Sequence, residues 1–212
     1  MGNKDSFIEQ IRERLTRPLP GQEAQLRMAF VRRAEELRLN PTPPEGARVA
    51  CVTLFLWENN DDWRTILIQR TTNPLDRHSG QVSFPGGKHE QSDESLSHTA
   101  LREAQEEIGV PPNQVEILGR LTELYIPVSN FIVYPFVAVL SGIPQLLAQP
   151  GEVESILTPG LKHFQQDENK ALKTLVVGTG VLLNDVPCYL VEGRSVWGAT
   201  AMIMSEFLEV LK

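Results

Sequence analysis

Hydrophobic positions recur with two different periods, which divide the chain into a helical first part and a mainly β second part. Near the N-terminus, apolar side chains recur at helical spacing in two segments, DSFIEQIRERL and EAQLRMAFVRRAEELRL. From Arg48 onward, short apolar or alternating runs predict strands, among them RVACVTLFLW, RTILIQR, QVEILGRL, FIVYPFVAVL and VPCYLV. A last amphipathic helix is predicted over WGATAMIMSEFLEVLK. This order of elements predicts an α/β fold, a mixed sheet with helices on both faces.

A proline-rich connector, NPTPPEGA from Asn40 to Ala47, marks the clearest internal boundary. We therefore predict N-terminal accessory helices over residues 1–40 and a main domain over residues 41–212. The accessory helices could supply the interface of a homodimer.

Composition and charge narrow the classes of partner. The net charge of −7 and the pI of about 5.2 argue against nonspecific binding to nucleic acid or to membrane surfaces. The N-terminus has no signal-peptide core, and no apolar stretch reaches the length of a membrane helix, so we expect a soluble cytoplasmic protein. Cys51 and Cys188 lie in apolar runs, which predicts buried free thiols, with a disulfide as the alternative.

One segment, SFPGGKHEQSDESLSHTALREAQEEIGV, carries the candidate chemistry. It predicts a helix that begins near Ser92 or Asp93 and ends at Gly109. On this helix three glutamates converge at helical spacing: Glu103, Glu106 and Glu107. With a loop carbonyl such as that of Gly86, they form a set of hard oxygen ligands suited to Mg²⁺ or Mn²⁺.

The alternative is a solvated acidic helix face, which is the commoner fate of such a run by itself. The complete constellation favours the metal site, because paired glycines, an arginine and a terminal glycine accompany the acids. Arg102 is predicted to form a structural clamp with Glu94, rather than a surface ion pair that contributes little.

The segment resembles the Nudix box, the signature of hydrolases that split nucleoside diphosphates linked to another group. The family pattern is Gly, five residues, Glu, seven residues, then Arg-Glu-apolar-x-Glu-Glu-x-Gly-apolar. Here six residues separate Gly87 from Glu94, and seven then lead to Arg102. The remaining positions follow in register: Glu103, Ala104, Glu106, Glu107, Gly109 and Val110.

The extra loop residue and the upstream sequence LIQRTTNPLDRHSGQVSFPGG resemble the coenzyme A diphosphatase-like branch of the family. One position departs from the branch pattern, since Asp76 stands where an arginine is usual and Arg77 follows it. Arg77 could substitute in binding the 3′-phosphate or the diphosphate of coenzyme A.

The resemblance implies a Nudix-type α/β/α sandwich and a set of roles. Glu103, Glu106 and Glu107, completed by the Gly86 carbonyl, would bind Mg²⁺ or Mn²⁺. Glu106 would be the general base, with Glu152 or Glu154 as the alternative, and each of these two could equally be a solvated turn acid. The candidate substrate contacts are Arg70, Arg77, His78 and Lys88. His78 could instead bond to backbone, and Lys88 could simply be solvated.

Three functions remain open from the sequence. The first is metal-dependent hydrolysis of coenzyme A or acyl-CoA to 4′-phosphopantetheine and adenosine 3′,5′-bisphosphate. The second is hydrolysis of another nucleotide derivative such as ADP-ribose, NADH or a dinucleotide, which Asp76 favours. The third is nucleotide sensing without hydrolysis, which the complete set of acids disfavours.

Overall fold

The structure, a computed structural model, describes residues 2–40, 42–60, 62–73, 78–177 and 180–212. Its α-helices in this part of the chain are α1 (Gly2–Leu15), α2 (Gly21–Leu26), α3 (Val31–Leu39), α4 (Leu96–Ile108), α5 (Leu161–Gln165) and α6 (Gly198–Val210). The second predicted N-terminal helix is two helices, because the chain turns between α2 and α3.

Most predicted strands are present, and the structure adds short ones between them. The strands are β1 (Arg48–Asn59), β2 (Asp62–Arg64), β3 (Leu67–Arg70), β4 (Val82–Ser83), β5 (Gly86–Lys88), β6 (Val115–Arg120), β7 (Leu124–Ile126), β8 (Phe131–Leu140), β9 (Val153–Leu157), β10 (Lys170–Val177), β11 (Val181–Val191) and β12 (Arg194–Val196).

Three sheets organise these strands. The central one has the order β2-β1-β8-β6, with β5 added to β1 and β7 added to β8. Within it β1 and β8 are parallel and the other pairs are antiparallel, so the sheet is mixed as predicted. The smaller sheets have the orders β4-β3-β9 and β10-β11-β12.

Successive side chains of β1 point to opposite faces of the sheet, and helices pack against each face. Phe55 packs with Ala104 of α4, whereas Leu54 packs on the other face with Ile11 of α1 and Phe207 of α6. The sheet is therefore covered by helices on both faces, and the predicted α/β sandwich is confirmed.

The N-terminal helices share the core of the rest of the chain. Ile8, Ile11, Met28 and Leu37 belong to the same hydrophobic cluster as Leu54 and Phe207. A buried carboxylate also links the two parts, since Glu206 accepts hydrogen bonds from the Gly21 N–H, the Thr122 N–H and Gln25 Nε2. The boundary at residue 41 and the dimer interface stay predictions.

Two further expectations concern the whole chain. Cys51 and Cys188 are both buried free thiols, as predicted. Among the described residues, no helix combines the length and the apolar character that crossing a membrane requires.

Candidate active site

Helix α4 presents the acidic side chains, and its ends follow from local sequence. Ser95 caps its N-terminus by accepting a hydrogen bond from the His98 N–H at 3.1 Å, so the predicted start at Ser92 or Asp93 is wrong. Gly109 ends the helix with a positive φ of 72°, as predicted. Ala100, Ala104 and Ile108 are fully buried on one stripe, which fixes the rotation of the helix.

The clamp on Arg102 is formed by Asp93, and the predicted Glu94–Arg102 clamp is wrong. Arg102 Nε donates to Asp93 Oδ1 at 2.9 Å and Nη2 donates to Oδ2 at 3.1 Å, whereas the neighbouring Glu94 is exposed. Asp93 turns inward because the Glu90 N–H and the Thr99 hydroxyl also donate to its carboxylate, both at 2.9 Å.

The position of Asp93 also relocates the extra loop residue. Five residues separate Gly87 from Asp93 and eight separate Asp93 from Arg102, so the insertion follows the acid instead of preceding it. The spacing of five from Gly87 was the signal in the sequence that could have identified Asp93. The Arg102 hydrogen bonds hold the pKa of Asp93 well below its usual range.

Arg102 also directs the neighbouring glutamates. Its Nη1 donates to Glu106 Oε2 at 2.9 Å, its Nη2 lies 3.0 Å from Glu103 Oε1, and Nη2 also donates to the Lys88 carbonyl. The Glu106 side chain is 56% exposed and that of Glu103 is 14% exposed. Glu106 is therefore turned outward, while Glu103 faces the interior.

Glu103 and Glu107 meet at the paired glycines. The Gly86 N–H donates to Glu107 Oε2 at 2.7 Å, and the Glu107 side chain is only 2% exposed. A Cβ on Gly87 would lie 2.4 Å from Glu103 Oε2, so only glycine leaves room for this carboxylate. A Cβ on Gly86 would clash with the Cys51 carbonyl at 2.1 Å.

The negative charge of this pair is incompletely neutralised. Burial raises the pKa of Glu107 to about 8, although the Gly86 N–H and Arg70, with Nη1 3.8 Å from Glu107 Oε1, act in the opposite direction. Burial also raises the pKa of Glu103. The charge of Glu152 acts in the same direction on both carboxyl groups, although the side chains of Glu152 and Glu154 are both exposed.

Glu103 and Glu107 have the ligand chemistry that a divalent cation requires. Their carboxylates offer hard oxygens beside the backbone of Gly86 and Gly87, which carries no side chains. In the described part of the chain, no three His, Cys, Asp or Glu side chains stand at metal-binding distances, and Arg102 donates a hydrogen bond to Glu106. The metal-binding roles of Glu103, Glu106, Glu107 and the Gly86 carbonyl stay predictions.

The predicted substrate contacts lie in different surroundings. Arg70 faces Glu107. His78 lies between β3 and β4, where its Nδ1 is 3.2 Å from Gln81 Oε1. The Lys88 side chain is exposed. Arg77 and Asp76 lie outside the described residues. All four contacts stay predictions.

Comparison with known proteins identifies related chains. A family model described as the NUDIX domain matches residues 46–173. Nudix hydrolase 15, mitochondrial, of Arabidopsis thaliana is 39% identical over 57% of this chain and 43% of its own length. The human mitochondrial coenzyme A diphosphatase NUDT8 is 34% identical over 67% of this chain and 60% of its own length. The chain thus spans 43% and 60% of these two relatives.

A solved structure supports the fold. The MutT/nudix family protein from Enterococcus faecalis matches 89% of this chain and 72% of its own with a TM-score of 0.53 at 18% identity. The resemblance of the glycine-glutamate segment and the arrangement of the sheets thus agree with sequence and structure comparisons alike.

Proposed function

Since this chain belongs to the Nudix family, we propose that it hydrolyses the diphosphate linkage of coenzyme A or acyl-CoA. The products would be 4′-phosphopantetheine and adenosine 3′,5′-bisphosphate. The observation that carries the proposal is the buried Glu103–Glu107 pair beside Gly86 and Gly87, whose charge the protein neutralises only in part. The similarity to a relative named as a coenzyme A diphosphatase supports the choice of substrate.

Each residue of the site has a part in this reaction. Glu103 and Glu107 would hold Mg²⁺ or Mn²⁺, and such a cation supplies charge neutralisation at the diphosphate and lowers the pKa of a bound water. Asp93 fixes Arg102, and Arg102 in turn fixes Glu103. Arg70, next to Glu107, is placed to stabilise the negative charge that develops on the leaving phosphate.

The proton of the attacking water needs an acceptor. Glu106 is the first candidate from the sequence, but its carboxylate accepts a hydrogen bond from Arg102. Glu152 comes from a different loop and its charge acts on both Glu103 and Glu107. We therefore favour Glu152 as the general base.

The second candidate is hydrolysis of another nucleotide diphosphate, such as ADP-ribose or NADH. Asp76 favours it, because an acidic side chain stands where the coenzyme A branch usually has an arginine.

A product assay separates the candidates. Coenzyme A, ADP-ribose and NADH are each incubated with Mg²⁺ or Mn²⁺ and the products are identified by mass spectrometry. We expect cleavage of coenzyme A and a loss of about 100-fold or more in Glu107→Gln. Glu94→Gln, which changes an exposed acid just before the same helix, serves as the matched control and should keep wild-type turnover.

Other outcomes would redirect the proposal. Cleavage of ADP-ribose or NADH without cleavage of coenzyme A would establish the second candidate. Binding of nucleotides with no hydrolysis of any substrate would favour a sensing role.

A further inference from the structure

Arg194, at the start of β12, is a half-buried arginine without a carboxylate partner among the described residues. Its guanidinium is held by neutral acceptors only. Nε donates to Gln69 Oε1, Nη2 donates to Ser155 Oγ at 3.2 Å, and Nη1 donates to the Glu192 carbonyl at 3.3 Å. The positive charge is therefore fixed in position but not neutralised.

The hydrogen bonds of Arg194 use only some of the N–H groups of its guanidinium. An arginine side chain has five N–H groups, one on Nε and two on each terminal nitrogen. The contacts to Gln69, Ser155 and Glu192 use one on each nitrogen, so within the described residues Nη1 and Nη2 each keep one N–H without a protein acceptor. N–H groups of a guanidinium are suitable donors to the oxygens of a phosphate.

The hydrogen-bond acceptors of Arg194 place it next to β3, the strand that ends at Arg70. Gln69 and Arg70 are the last two residues of β3, and successive side chains of a strand point to opposite faces. Arg70 faces Glu107, whereas Gln69 faces Arg194. Ser155, the other side-chain acceptor, stands directly opposite Gln69 in the β3–β9 ladder.

This position separates Arg194 from the anhydride that Glu103 and Glu107 would hold. Arg194 and Glu107 therefore lie on opposite sides of β3, and a ligand that contacts both must carry a second anionic group besides the anhydride. Coenzyme A has such a group, the 3′-phosphate of its ribose, while ADP-ribose and NADH do not.

We propose that Arg194 is a specificity-determining residue that binds a phosphate monoester on the nucleotide part of the substrate, which in coenzyme A is the 3′-phosphate. This inference rests on the proposed function. Arg102 provides the contrast, because its guanidinium is saturated by Asp93, Glu103 and Glu106 and therefore serves structure.

The test compares coenzyme A with 3′-dephospho-coenzyme A, which has the same diphosphate and lacks only the monoester. In Arg194→Gln we expect KM for coenzyme A to rise about 10-fold or more with little change in kcat, and KM for the dephospho substrate to stay unchanged. Arg194→Lys, which keeps the charge, should recover part of the loss. Arg120→Gln, an exposed arginine over Tyr134 on β8, is the matched control.

Equal effects of Arg194→Gln on the two substrates would show a structural role or a diphosphate contact, and either result overturns the proposal. A binding measurement separates this failure from failure of the proposed function. Titration calorimetry with adenosine 3′,5′-bisphosphate and with 5′-AMP requires no turnover. We expect wild type to prefer the bisphosphate and Arg194→Gln to lose this preference. An unchanged preference in the variant, or none in wild type, overturns the proposal even if no hydrolysis is found.

Discussion

Asp93 lies just before the start of α4 and Glu107 lies in its last turn. Their side chains are 1% and 2% exposed, respectively. Asp93 receives two hydrogen bonds from Arg102, one from the Thr99 hydroxyl and one from the Glu90 N–H. Glu107 receives one, from the Gly86 N–H, and its nearest cation is Arg70 at 3.8 Å. The pKa of Asp93 is accordingly lowered, and that of Glu107 is raised to about 8.

The difference separates a structural acid, Asp93, from Glu107, for which we propose a functional role. A buried carboxylate with a full set of donors stabilises the fold in its charged form, and Asp93 does so by fixing Arg102. A buried carboxylate with too few donors is destabilising when charged, and it gains most from an added cation. Burial alone therefore does not distinguish the two; the number of donors does.

The largest expected effect comes from removing the charge of Asp93. Asp93→Asn leaves Arg102 with a weaker partner, and we expect the free energy of unfolding at neutral pH to fall by about 3 kcal/mol. Urea denaturation measures this loss.

The pH dependence gives a second criterion for Asp93. Because its folded pKa is lowered, its stabilisation is fully present above the unfolded pKa of about 4 and is lost as the pH falls through the folded value. The gap between wild type and Asp93→Asn should therefore narrow in acid. The adjacent Glu94→Gln should change stability by less than about 0.5 kcal/mol. If both variants lose the same amount, the assignment of the clamp to Asp93 is incorrect.

The opposite sign is expected at Glu107 in the metal-free protein. Its folded pKa of about 8 exceeds the ordinary 4.5, so the contribution of Glu107 to wild-type stability is most favourable below 4.5 and is lost as the pH rises toward 8. In EDTA at pH 8, we expect Glu107→Gln to be more stable than wild type by about 2 kcal/mol, with the gain vanishing in acid.

Glu106→Gln is the matched control for this prediction, because Glu106 lies on the same helix but is exposed. It should show no gain that grows with pH. Added Mn²⁺ should raise the melting temperature of wild type more than that of Glu107→Gln. Parallel pH profiles for wild type and Glu107→Gln would contradict the distinction between the two acids.

The sequence predicted the helix, its buried stripe and its end because these depend on local periodicity and on Gly109. It did not locate the start, since Ser92, Asp93 and Ser95 can all cap a helix; Asp93 instead binds Arg102, and Ser95 caps the helix. Likewise, helical spacing brings Glu103 within reach of both Glu106 and Glu107. Their different orientations depend on Arg102 and Gly86, contacts that the fold brings together.

The sheet formed by β10, β11 and β12 is a second region that the sequence did not predict fully. Along β10 half-buried residues alternate with exposed ones, and Leu172 and Val176 are each 68% exposed, so an apolar side chain there does not mark the core. Arg194 on β12 gave no signal of its own, because its acceptors Gln69 and Ser155 are far from it in sequence.

The smallest expected effect tests the space that Gly87 leaves for Glu103. Gly87→Ala would place a Cβ 2.4 Å from Glu103 Oε2 at a position whose backbone φ is ordinary for alanine. The carboxylate must move, and we expect the affinity for Mn²⁺, measured by electron paramagnetic resonance of the free ion, to fall about 10-fold. Gly142→Ala is the matched control, because a Cβ there meets no atom within 4 Å, and its Mn²⁺ affinity should equal that of wild type. The three atoms nearest to the new methyl group all belong to Glu103, so stability in EDTA should change much less than in Asp93→Asn. If instead Gly87→Ala lowers the stability as much as Asp93→Asn does while the Mn²⁺ affinity is unchanged, Glu103 belongs with Asp93 among the structural acids, and Glu107 remains as the candidate metal ligand.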